Sequence, residues 1–128
     1  MTQDYTTRTA ANLATVHPDL QKLAHRADEL TEVEFLVTEG IRTMKRQREL
    51  VAAGASQTLK SRHLTGHAID IVPLIGSEVC WKSQAFWLPL EAFRKAAREL
   101  AIDVEFGADW RTLKDLPHIQ LSRKSYPA

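Results

Sequence analysis

Two histidines and two aspartates in this 128-residue chain have the types and spacing to hold a metal ion and move a proton. His63 and Asp70 stand seven residues apart with Gly66 between them, and His118 arrives much later, three residues after Asp115. Imidazole nitrogens and carboxylate oxygens are good zinc ligands. A hydrolytic zinc site takes three protein ligands, leaves a fourth position open and needs a base nearby. His63, Asp70 and His118 supply the ligands, and Asp115 is the spare carboxylate. Each has an ordinary alternative: a surface loop histidine, an aspartate in a turn, a solvated loop acid, a satisfied strand histidine. The combination points to metal chemistry. Gly66 allows a tight turn between the first two ligands, and Ala68 leaves space beside them. His67 lies in the same run, but a fourth protein ligand would close the site and make the metal structural. A place at the rim, near substrate, is expected for it instead.

These residues need elements to position them. Pro18 to Leu30 has Leu20, Leu23, Ala24, Ala27 and Leu30 at three- and four-residue steps, so a helix is expected, with Pro18 in its first turn. Val33 to Val37 reads as a strand, with Val33, Phe35 and Val37 on one face and Gly40 breaking it. A second helix is expected after Thr43, a good N-cap, ending near Gly54. Its exposed face carries Lys45, Arg46 and Arg48. Residues 55–67 lack periodicity. Ala68 to Val72 reads as a strand stopped by Pro73, with Ala68, Asp70 and Val72 on one face. Residues 74–87 look irregular. A third helix, opened by Pro89, runs to about Ala101 with Leu90, Phe93, Ala97 and Leu100 on one stripe. Val104-Glu105-Phe106, ended by Gly107, and His118-Ile119-Gln120-Leu121 read as short strands. Helices and strands without regular alternation favour an α+β fold around a small, mainly antiparallel sheet.

Composition bounds the function. Lys and Arg number 17 against 16 Asp and Glu, which gives no general case for nucleic acid. Cys80 is the only cysteine, so no internal disulfide is possible. With no flanking signature and Val79 beside it, Cys80 reads as an inert thiol. His17, before a helix, and His25, on one, read as ordinary. No segment approaches the roughly 18 apolar residues of a membrane helix. The residues Met1 to Tyr5 show no basic stretch leading into an apolar one, so no secretory signal is expected. One domain over residues 1–128 is expected, without repeat or linker.

Ser61, His63, Gly66, Ala68 and Asp70 match the pattern Ser-x-His-x-x-Gly-x-Ala-x-Asp at all five fixed positions. Asp115 to His118 matches an acidic residue, two residues, then a histidine. On these motifs the chain resembles the zinc peptidases of bacterial cell-wall peptides. That family includes D-alanyl-D-alanine dipeptidases and carboxypeptidases, and the L-alanyl-D-glutamate endopeptidases used as phage endolysins. The resemblance spans nearly the whole chain, from the Pro18 helix to His118. It implies helices packed on one side of a short sheet and the metal cleft on the other. It implies zinc on His63, Asp70 and His118, with Asp115 as general base, taking a proton from water and passing it to the leaving amine. In Gly40-Ile41-Arg42-Thr43 it implies that Arg42 stabilises the developing oxyanion or clamps a substrate carboxylate. Ser61, Gln47 and Trp110 become candidate substrate contacts. Ser61 has a loop cap as its alternative, and Trp110 a core anchor. Asp109, beside Trp110, is the rival base. Gln120 departs from the many relatives that carry Glu two residues after the last histidine, which bears on a contact beside the site.

The preferred substrate is a peptidoglycan stem peptide, cut between L-alanine and D-glutamate. A monomer made in the host cytoplasm and released to the wall fits that role, with no separate wall-binding module, no nucleic acid and no stable membrane insertion. A D-alanyl-D-alanine dipeptidase or carboxypeptidase is the second enzymatic reading. A zinc-containing module that binds wall peptides without turnover is a third, and the presence of Asp115 argues against it. The Lys45/Arg46/Arg48 face could also dock a partner within a larger assembly, or attract anionic wall.

Overall fold

Alternation along two neighbouring strands separates the apolar core from the chemistry. The computed structural model describes residues 3–127. Its sheet contains β1 (Phe35–Glu39), β2 (Ala68–Ile75), β3 (Glu78–Val79), β4 (Val104–Phe106) and β5 (His118–Leu121). The order is β1-β2-β5-β4, with β3 paired to β2, and every pairing is antiparallel. Ile69 lies opposite Ile119, which lies opposite Phe106, while Val37 lies opposite Ile71. These side chains form one face, and they are buried in a single apolar cluster with Leu20, Leu23, Phe86 and Phe93. Burial of each such large side chain contributes roughly 1.5–3 kcal/mol. The same registers put Asp70 opposite His118 and Ala68 opposite Gln120 on the other face.

Helices α2 (Pro18–Leu30) and α4 (Trp87–Leu100) pack on each other and cover the apolar face, the layering expected of this α+β fold. The expected bounds of α2 hold, and its N-cap is the His17 ring, which accepts from the Asp19 amide. Pro89 sits in the first turn of α4, where its missing amide costs nothing. Ala96, rather than the exposed Leu100, completes the buried stripe of that helix.

Three elements depart from the sequence expectation. Strand β2 continues through Pro73 to Ile75. Leu74 donates to the Glu34 carbonyl and Ile71 to the Pro117 carbonyl, so alternate amides face opposite sides. An amide at residue 73 would face the side on which β5 has already ended and where Cys80 donates its amide to the Pro73 carbonyl, so the proline gives up only one bond of that pair. The irregular stretch after β2 contains a hairpin, made with β3, and a 3-10 turn at Ser83–Phe86. Helix α1 (Gln3–Leu13) precedes α2 and closes the open edge of the sheet. The Thr9 hydroxyl accepts from the Val37 amide and the Asn12 amide group donates to the Val37 carbonyl. Side chains thereby take up ladder groups that an edge strand leaves unpaired. Among the described residues no helix is long and apolar enough to cross a membrane.

Candidate metal centre and its surroundings

Three segments deliver the three candidate ligands. His63 sits on a 3-10 turn, Arg62–Thr65, that begins when the Ser61 hydroxyl accepts from the His63 amide and ends at Gly66 in the left-handed conformation, φ 73°. Asp70 projects from β2 and His118 from the start of β5, paired directly across the ladder. The ligand atoms of His63, Asp70 and His118 all lie within 4.8 Å of one another. His63 Nε2 is 3.2 Å and His118 Nδ1 3.4 Å from Asp70 Oδ1.

The far nitrogen of each imidazole is anchored. His63 Nδ1 is 2.9 Å from the Gly40 carbonyl and His118 Nε2 is 2.8 Å from Gln120 Oε1. A carbonyl oxygen can only accept, so each anchored nitrogen carries the proton. The nitrogens turned toward Asp70 keep their lone pairs for a metal. Two imidazoles and one carboxylate, oriented in this way, fit a divalent ion with a position left open. Burial pushes the Asp70 carboxyl up, but the two imidazoles beside it, His118 and then His63, outweigh it and hold Asp70 well below the usual carboxylate range. Burial pulls His118 down, and Asp70 overcomes that and raises it above an ordinary histidine.

Arg42 reaches the same place from the segment after β1. Its guanidinium is forked onto Glu39, at 2.7 and 2.6 Å, and lies 3.7 Å from Asp70 Oδ2. Its amide donates to the His63 carbonyl at 2.9 Å, which ties this segment to the first ligand. Burial opposes the arginine's charge, and the hydrogen bonds and charge of Glu39 restore it. Gln47 is fully buried on α3 (Met44–Ala52), which follows the Thr43 N-cap as expected. It accepts from Arg42 at 2.8 Å and donates to the Ser56 hydroxyl and the Thr58 carbonyl, so it positions Arg42.

Asp115 is half-buried. Burial and the charge of Asp70 raise its pKa above the ordinary value, while His118, His63 and Arg42 pull it down. Its loop turns closely around Gly107, whose carbonyl accepts from the Asp115 amide. A Cβ at residue 107 would collide with the Asp115 carbonyl oxygen, so this turn requires glycine. Trp110 walls the group, with its ring centroid 5.2 Å from that of His118. Asp109 is taken up by Arg94, with two contacts at 2.8 Å.

His63, Asp70, His118, Asp115, Arg42 and Trp110 thus come together. Ser61 caps the turn that carries His63, and Gln47 stands behind Arg42. His67 turns away: it bonds the Thr65 hydroxyl at 2.7 Å and its ring faces His17 at 5.6 Å. Alternation accounts for this, because residue 67 is out of phase with Ala68 and Asp70. Sequence reasoning missed Glu39, whose three-residue offset from Arg42 was the available signal. It also missed the Gly40 carbonyl, a backbone group with no sequence signal.

The fold and the ligand group define a class: a small α+β domain with a two-histidine, one-carboxylate centre able to hold a metal ion. The chain belongs to the phage L-alanyl-D-glutamate peptidase family, whose description matches residues 1–126. It is similar to the L-alanyl-D-glutamate peptidase of Escherichia phage T5, 42% identical over 118 residues that cover 89% of this chain and 85% of that one. It is 33% identical over 129 residues to the L-alanyl-D-glutamate peptidase of Listeria phage A118, covering 98% of this chain but 45% of the longer relative. The crystal structure of the Serratia marcescens L-Ala D-Glu endopeptidase ChiX superposes with a TM-score of 0.91 at 50% identity, covering 97% of this chain and 93% of that one.

Proposed function

We propose that this chain is a zinc peptidase that cuts the L-alanyl–D-glutamate bond of peptidoglycan stem peptides. The observation that carries the reading is the arrangement of Asp115 and Arg42 around the His63–Asp70–His118 group. Zinc held by those three side chains supplies Lewis acidity, which brings water activation to about neutral pH. Asp115, with its pKa raised, takes the proton of the attacking water and returns it to the leaving amine. Arg42, held rigid by Glu39 and Gln47, offers a fixed positive charge to the developing oxyanion or to a substrate carboxylate. Trp110 forms an apolar wall that limits water.

The names of the phage relatives support a role as an endolysin in host lysis, with the protein made in the host cytoplasm and acting on the wall after release. Digestion of purified peptidoglycan followed by mass spectrometry tests the reading. New N-terminal D-glutamate ends are expected. Release of D-alanine or its dipeptide would move the activity to the other end of the stem peptide, and an unchanged digest would refute hydrolysis.

A further inference from the structure

The charge of the chain is sharply divided, although its total is nearly balanced. Residues 41–62 hold six basic side chains and one acidic, Glu49, while the rest of the chain holds eleven basic and fifteen acidic. That stretch is a closed excursion, because the Arg42 amide donates to the His63 carbonyl at 2.9 Å. It contains α3 and the irregular residues after it, joined by Gln47 through Ser56 and Thr58. Gln47 is the one buried residue of α3. The helix therefore contributes almost nothing to the apolar core, and stability does not explain its basic surface. Lys45, Arg46, Arg48 and Lys60 are all exposed, and among the described residues none of the four is in an ion pair.

We propose that this excursion is a docking surface for the anionic stem peptides of the wall, with Lys45, Arg46, Arg48 and Lys60 engaging carboxylates away from the bond that is cut. The proposal rests on the peptidase reading for its choice of partner. D-glutamate has two carboxyl groups and a linear peptide consumes one, so the residue just beyond the scissile bond keeps a free carboxylate. Neighbouring stems in the wall repeat that charge. The excursion is anchored beside the metal centre: Gln47, buried under the basic helix, bonds Arg42, which lies 3.7 Å from Asp70. Attraction by the excursion and repulsion by the acidic remainder orient the chain on the wall before contact.

The test is co-sedimentation of the zinc-loaded full chain with purified sacculi over a range of salt, using Asp115→Asn as background so that the wall is not consumed. Replacing Lys45, Arg46, Arg48 and Lys60 together with Gln should weaken binding by about tenfold or more at low salt and flatten its salt dependence. Sacculi whose carboxylates have been converted to amides should lose the same increment with the unsubstituted face and little more with the variant. Zinc content and the unfolding midpoint serve as controls, since all four residues are exposed. Equal binding and an equal salt slope in the variant overturn the proposal. So does undiminished binding to amidated sacculi. If the substitutions abolish binding to phosphatidylglycerol vesicles but leave sacculi binding intact, the face belongs to a lipid surface and the proposal is wrong. Digestion by the unsubstituted chain reports separately on the peptidase reading: cutting without a salt-sensitive face refutes docking alone, and salt-sensitive binding without cutting refutes hydrolysis alone.

Discussion

Replacing Gln120 with Leu removes the acceptor that holds the His118 Nε2 proton, while leaving every proposed metal ligand in place. Gln120 is 9% exposed and His118 6%, so water has little access to the abandoned N–H. An unsatisfied buried donor costs about 1–3 kcal/mol, against a net gain of only about 0.5–1.5 kcal/mol for a typical intramolecular hydrogen bond. The ring then escapes part of that cost by moving its proton to Nδ1 or by rotating, and either change withdraws the lone pair facing Asp70. Loss of a partner that orients a ligand typically weakens a metal site about 10–100-fold, which is about 1.4–2.8 kcal/mol at 1.4 kcal/mol per decade. Zinc affinity measured by chelator competition at neutral pH should therefore fall by that factor in Gln120→Leu. Gln120→Glu keeps an acceptor at the same place and increases ring basicity, so its affinity should match or exceed that of the unsubstituted chain. Leu at this position with zinc affinity within twofold of the unsubstituted chain would refute the argument, as would equal losses for Leu and Glu.

Gln47→Ala leaves Arg42 and the Thr58 carbonyl without their buried partner, and the unfolding free energy should drop by about 2–3 kcal/mol in denaturant titrations. Gly107→Ala drives a methyl group into the Asp115 carbonyl and displaces the proposed base; hydrolysis should fall by a factor of order 10² while zinc affinity, read by chelator competition, changes far less. In the metal-free chain Asp70 keeps the proton on His118 to a higher pH than an ordinary histidine, whose pKa is about 6.5. Protons therefore compete with zinc from above that value, so affinity should already be falling as pH drops to it; a plateau that persists below it would contradict the raised pKa. Ala101 closes α4 at φ 54°, so Ala101→Gly should relieve strain and raise stability by about 0.5–1 kcal/mol in thermal melts.

Local signals made α2, α3 and β5 legible. Pro18 with a regular apolar period fixed the first, the Thr43 cap and Gly54 bracketed the second, and the alternation of His118 to Leu121 gave the third. Helix α1 was not legible, because it is polar and is held to the sheet edge by Thr9 and Asn12, a contact with no sequence period. Pro73 was misread because its cost depends on which strand ends beside it. Within the site, the proposed ligands stand at fixed offsets and could be read, and Trp110, a candidate contact in the sequence, lies beside His118. The groups that orient them could not: Gly40 acts through its carbonyl, and Glu39 through a pairing that only the folded turn brings about. His67 looked equivalent to its neighbours in the motif, and only the strand phase separates it from them.

The strand that supplies His118 is the last among the described residues, yet it lies between β2 and β4 in the sheet. The centre can therefore close only after β5 has inserted between strands that belong to earlier parts of the chain. A contact of that separation carries a large loop-closure cost and forms late. If His118 is a ligand as proposed, metal binding and the seating of β5 become one equilibrium, since an ion that needs His118 binds only the inserted state. Zinc would act as a clasp on the sheet interior: amide exchange along His118–Leu121 should slow with added metal more than exchange in α2, whose contacts do not depend on the ion. An incompletely folded chain, with β5 unseated, would hold neither the metal nor the capacity to cut.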